Sequence, residues 1–125
     1  MSAVLTSARA WIVLGAALSG SAVAFGAYGW HALEADAAMR EIFLLGVQYQ
    51  MWHGLALFVV AWLCGAGGVL FVAGTVLFPG NLYAMAGTGE VMVYGGAPAG
   101  GFALMAGWAL LAVSGLLRRR GGPPP

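Results

Sequence analysis

The strongest constraint on this chain is an apolar run from Ile42 to Leu63 that carries the hexapeptide Tyr49-Gln50-Met51-Trp52-His53-Gly54 inside it. About 20 apolar residues at 1.5 Å rise match a hydrocarbon core of roughly 30 Å, so the run reads as a membrane-spanning helix. Water does not reach that depth, and each polar group there must meet a protein partner, a cavity or a ligand. On a helix Gly46, Gln50, His53, Gly54, Leu57 and Ala61 share one face, with Tyr49 at its border. Leu44, Met51, Trp52, Leu55, Val59 and Trp62 occupy the other. The small and polar face is expected to turn inward and the bulky face toward lipid.

Composition extends this reading to the whole chain. Of 125 residues, 62% are hydrophobic and 7% charged, against about 25% charged in a soluble domain. The length accommodates about four spans and no soluble domain beside them. They are expected at about 10–28, 42–63, 69–86 and 97–117, with a disordered tail at 121–125. Trp11 and Trp30 bracket the first span as interfacial aromatics. A signal peptide, with Arg9 as its basic region and Ala22-Val23-Ala24 as its cleavage box, is the rival reading. The apolar run continues through that box to Trp30, which favours a retained helix. His31 to Glu41 is the charged connection, expected as a short interfacial helix or a water-side extension of the second span. Its carboxylates, Glu34, Asp36 and Glu41, form a solvated surface.

The connection Gly65 to Gly68 is short, which makes spans two and three antiparallel neighbours. In span three, Pro79 cannot donate to the Thr75 carbonyl and clashes with it, so a kink or an opening is expected there. Gly87 to Gly96 forms a loop around Glu90, and Pro98 suits the first turn of a fourth span that contains Trp108. Many of the 21 glycines lie within the apolar runs. Pairs such as Gly15/Ser19, Ala22/Gly26 and Ala103/Gly107 let helix backbones approach closely. The expected fold is an all-α integral membrane four-helix bundle with antiparallel neighbours and a third helix kinked at Pro79.

Four of the five basic residues, Arg9 and Arg118 to Arg120, flank the outermost spans, and Arg40 lies on the opposite side. By the positive-inside rule both termini are cytoplasmic. Tyr28, Tyr49, Gln50, Asn81 and Tyr83 then fall in the outward half of the bilayer, with His53 near mid-depth. A shared polar cluster or a shallow outward-opening cavity is expected from these six residues. In one account it is structural, with Gln50 and His53 supplying donors to the carbonyl freed by Pro79. In the other it receives a ligand, ion or lipid.

Several chemistries find no support. His53 lies roughly 16 Å below the start of span two and His31 at the surface, too far apart to share a metal or haem within one protomer. Cys64 is single, which excludes an internal disulfide, and reads as a small packing residue at a helix end. The six methionines are scattered as core residues would be. Ser19 and Ser21 have no base at a suggestive spacing, and no basic patch interleaved with aromatics suits nucleic acid. No catalytic, cofactor or metal site is expected, and the chain is not expected to be an enzyme.

The pattern of Phe25-Gly26-Ala27 with Gly29, then Tyr49-Gln50, His53 and Leu55-Ala56-Leu57, continues through Leu77-Phe78, Gly80 and Leu82-Tyr83 to Pro98, Gly100-Gly101 and Gly107-Trp108. It resembles the Domain of Unknown Function 423 family, small YgdD-like bacterial inner-membrane proteins with a mitochondrial relative. The resemblance runs from about Val23 to Val113 and implies a four-span membrane protein. It brings no activity, substrate or cofactor. Tyr28 stands where the family's first motif usually has histidine, and Pro79 where serine is more frequent. The expected function is that of a non-enzymatic accessory or interaction protein in the bacterial inner membrane, in contact with lipid and with a second copy or another membrane protein. The alternative is a small oligomeric transporter or channel using His53 as a proton-sensitive group, since imidazole changes charge in the physiological range.

Overall fold

A computed structural model describes residues 8–63 and 67–118. The packing role of Cys64, the start of the second connection, Arg119, Arg120 and the tail at 121–125 lie outside the described residues. The described residues form four helices: α1, Ala8–His31; α2, Ala37–Leu63; α3, Gly68–Thr88; and α4, Gly96–Leu117. Each is long and apolar enough to cross a membrane, and the described residues contain no strand. Hydropathy marks the part of a helix that can sit in hydrocarbon, whereas hydrogen bonding continues into the polar turns beyond it. Hence α1 runs on to His31, and α2 begins at Ala37 instead of Ile42. The charged connection becomes a short link followed by the first turn of α2.

That link is held by its own charged residues. Asp36 Oδ1 accepts the Met39 N–H at 2.8 Å, an N-terminal cap for α2. The Arg40 guanidinium reaches back across the turn and donates to the Gly29 and Leu33 carbonyls. It thereby serves one carbonyl in the last turn of α1, where helical partners run out, and one in the link just beyond it. Arg40→Met keeps much of the apolar stem and removes the donors. It should lower the thermal stability in detergent by roughly 1.5–3 kcal/mol, the range for hydrogen bonds to a charged group. At the other connection on this side, Gly89 and Gly95 adopt φ of 80° and 72°, left-handed conformations that glycine adopts without strain.

Neighbouring helices meet with their residue numbers running in opposite directions. Along α1 and α2, Gly29 faces Phe43, Gly26 faces Val47, and Gly15 faces Gly54 and Leu57. Along α2 and α3, Gly46 lies against Tyr83 and Pro79, and His53 against Phe71. Along α3 and α4, Phe71 packs on Gly107, Gly74 on Leu104, and Leu77 and Phe78 on Gly100. The helices pack in chain order, with α2 and α3 in the middle and only sparse contact between α2 and α4.

The expected inward residues of α2 (Gly46, Gln50, His53, Gly54, Leu57 and Ala61) are all buried. Trp52, Leu55, Val59 and Trp62 are exposed, as a lipid-facing surface requires. One expectation needs correction. Trp30 is exposed, but Trp11 is only 3% exposed and belongs to the core. Its ring lies against Gly68, where a β carbon would stand 2.8 Å from it, so the missing side chain admits the indole. α3 continues through Pro79 to Thr88. One apolar cluster, built on Trp11, Leu57, Val60, Phe71, Leu104 and Leu111, fills the end near the termini. A smaller one, Leu33, Phe43 and Ala86, fills the connection end. A polar layer lies between them.

Candidate functional site

The layer is centred on Gln50, the midpoint of α2. Gln50 is 4% exposed, and its amide joins three helices. Nε2 donates to Leu18 O at 2.9 Å and Ser21 Oγ at 2.7 Å on α1, while Oε1 accepts the Tyr83 hydroxyl of α3 at 2.7 Å. The Ser21 hydroxyl in turn donates a hydrogen bond to Ala17 O at 2.7 Å. One turn further, His53 joins α2 to α4. The indole of Trp108 can only donate, so its 3.0 Å contact makes His53 Nε2 the acceptor. The ring proton is then on Nδ1, which donates to Tyr49 O at 2.6 Å. Tyr49 stacks on the imidazole, with ring centroids 6.0 Å apart.

Asn81 is separate from both. Its Nδ2 donates to Leu77 O, and Oδ1 accepts the Val93 N–H at 2.9 Å, tying α3 to the following loop. Tyr28 makes no hydrogen bond to these groups; it is 48% exposed and in ring contact with Phe43. With Phe25 and Tyr83 these two rings line an aromatic pocket of about 390 Å³. Of the six residues expected to cluster, Gln50 and Tyr83 meet directly and Tyr49 meets His53, whereas Asn81 and Tyr28 do neither. Gln50 and His53 were also expected to supply donors to the carbonyl freed by Pro79, but their bonds go to α1 and to the α2 backbone instead. A helical wheel orders residues on one helix and leaves the rotation of its neighbours open, which is why the polar groups separate.

A family model described as a protein of unknown function (DUF423) matches residues 25–101, more than half of the chain. The chain belongs to the DUF423 family. Among its relatives, the UPF0382 membrane protein YwdK of Bacillus subtilis is 38% identical, covering 85% of this chain and 95% of its own length. The UPF0382 inner membrane protein YgdD of Escherichia coli K12 is 33% identical, covering 90% and 94%. No solved structure matches. With four helices fit to span a bilayer, this DUF423 member is a multi-pass membrane protein in contact with lipid.

Ser21 and Trp108 are the two partners that sequence reasoning missed, and both lie outside the matched segment. A signal existed for each. An indole N–H inside a membrane span needs an acceptor, and a serine on an otherwise apolar helix is free to receive a hydrogen bond from a neighbour. Around the His53–Trp108 pair a groove of about 630 Å³ runs between α2, α3 and α4. Its walls include Trp52, Leu55, Met105 and Trp108, all partly exposed, so it opens sideways toward lipid. Both imidazole nitrogens are engaged, and the groove therefore meets mainly apolar and aromatic surface. Among the described residues no three of His, Cys, Asp and Glu gather as metal ligands would.

Proposed function

We propose that the protein is a non-enzymatic accessory or interaction protein of the bacterial inner membrane, with both termini cytoplasmic. The observation that carries this reading is how the buried polar side chains are used. Gln50 and His53 spend their hydrogen bonds joining helices of the same chain, which leaves the lateral groove between α2 and α4 largely apolar. A membrane partner, a second copy or another protein, would meet that apolar surface. The inner-membrane placement is supported by the name of the Escherichia coli relative. The orientation is supported by the arginines, with Arg9 and Arg118 at one end and Arg40 at the other. Arg118 also lies 3.9 Å over the Trp62 ring, an arrangement suited to an interface.

His53→Ala separates this reading from a transporter or channel. It removes the Trp108 acceptor and leaves a cavity between aromatic rings, so it should lower stability in detergent by about 2 kcal/mol. The unaltered protein in liposomes should carry no pH-dependent flux. A flux that His53→Ala abolishes, with the fold intact, would overturn the proposal in favour of a small oligomeric transporter.

A further inference from the structure

Four aromatic side chains from three helices line the pocket at the connection end: Phe25 and Tyr28 of α1, Phe43 of α2 and Tyr83 of α3. Their rings form a continuous arc. Phe25 meets Tyr83 with centroids 5.4 Å apart, Tyr83 meets Phe43 at 4.8 Å, and Phe43 meets Tyr28 at 5.8 Å. The interplanar angles are 71°, 43° and 57°, so each ring is turned against the last and none stacks flat on its neighbour. The Tyr83 hydroxyl is committed to Gln50, which leaves its ring as the part that meets the pocket. Phe25 and Tyr28 are both partly exposed, so an incoming molecule can reach these walls. The volume of about 390 Å³ falls within the range of small-molecule sites, roughly 300–1,000 Å³.

Charge decides which small molecule suits it. All four Asp and Glu side chains, Glu34, Asp36, Glu41 and Glu90, lie at this end of the bundle. Glu41 stands two residues before Phe43, and Glu34 six residues after Tyr28. The one arginine here, Arg40, has its guanidinium engaged by the Gly29 and Leu33 carbonyls. A surplus of negative charge therefore surrounds a pocket walled by aromatic rings. Ring faces carry the negative part of the aromatic quadrupole and attract a cation within about 6 Å of a centroid. Hard inorganic cations require several oxygen ligands, which four rings do not supply. Quaternary ammonium groups are the ligands that aromatic cages recognise. We propose that this pocket binds small quaternary or alkylated ammonium cations, held by cation–π contact with the four rings and drawn by the acidic connection end. It is separate from the lateral groove, and the inference goes beyond the accessory reading without depending on it.

The test is calorimetric titration of the full chain in uncharged maltoside micelles at low salt, with choline as the probe and matched micelle blanks. In 3,3-dimethyl-1-butanol a carbon replaces the charged nitrogen of choline and the shape is kept. Choline should bind on the order of tenfold tighter than this uncharged isostere. Tyr28→Leu keeps an apolar side chain at a half-exposed position, so Tm should stay close to that of the parent while choline affinity falls about fivefold. Tyr28→Phe, which keeps the ring, should bind choline as the parent does. No binding of choline, equal binding of choline and its isostere, or unchanged choline affinity in Tyr28→Leu would each overturn the proposal. Repeating the titration in phosphatidylcholine nanodiscs identifies the source of the cation. Competition from the lipid headgroups, seen as weaker choline binding, assigns the pocket to a lipid's trimethylammonium, and unchanged affinity assigns it to a free solute; both results uphold the ammonium chemistry.

Discussion

Gly100→Val is expected to cost about 4 kcal/mol and to split the α3–α4 seam. A β carbon at Gly100 would lie 2.5 Å from the backbone nitrogen of Phe78 and 2.9 Å from the β carbon of Leu77. Neither atom can move away by a change of rotamer, so the two helices must part. Gly74, facing it on α3, adds to the constraint: a β carbon there would stand 2.9 Å from the Gly100 carbonyl oxygen. Lipid tails are as apolar as the helix surfaces, so dispersion between close backbones is much of what holds such a seam. Overpacking typically costs about 1–3 kcal/mol, which sets the expectation for Gly100→Ala, with valine beyond it. Gly101 is the control. Nothing lies within 4 Å of its β-carbon position, so Gly101→Ala should be neutral or gain up to about 1 kcal/mol from helix propensity. Thermal unfolding of the three variants in one detergent measures the contrast. Equal midpoints for Gly100→Val and the parent would contradict the packing described for α3 and α4.

The two adjacent glycines also show what a sequence of this kind reveals and what it conceals. The four helices were legible because span length and polarity are properties of each segment alone. The inward face of α2 was legible because glycine and polar residues recur on one side of a single helix. Pairings were not. Gly100 and Gly101 are equivalent in composition and opposite in environment, and only the rotation of α4 against α3 distinguishes them. The same unknown hid Ser21 and Trp108, which complete the bonds of Gln50 and His53, and it drew Asn81 into a cluster when its partner is a loop amide. Trp11 was misplaced for a related reason. An indole near the end of a span usually marks the interface, but the bare surface at Gly68 lets this one turn inward.

Gln50→Leu should produce the second large loss, roughly 2–3 kcal/mol, through a different mechanism. Leucine keeps most of the volume, so the cost falls on the hydrogen bonds. Three are removed at once, and interhelical bonds in membranes average about 0.6 kcal/mol with a maximum near 1.7. The remainder comes from what is left behind: the Tyr83 hydroxyl loses its acceptor and Ser21 Oγ its donor. A cycle with Tyr83→Phe isolates that part. Phenylalanine removes the stranded hydroxyl, so the double variant should be less destabilised than the sum of the two single variants, with a coupling of about 1 kcal/mol. Additive losses would mean that the Tyr83–Gln50 bond contributes little. A Gln50→Leu protein as stable as its parent would deny the polar layer any part in holding α1, α2 and α3 together. It would also turn attention to what else a carboxamide at the centre of the membrane is there to bind.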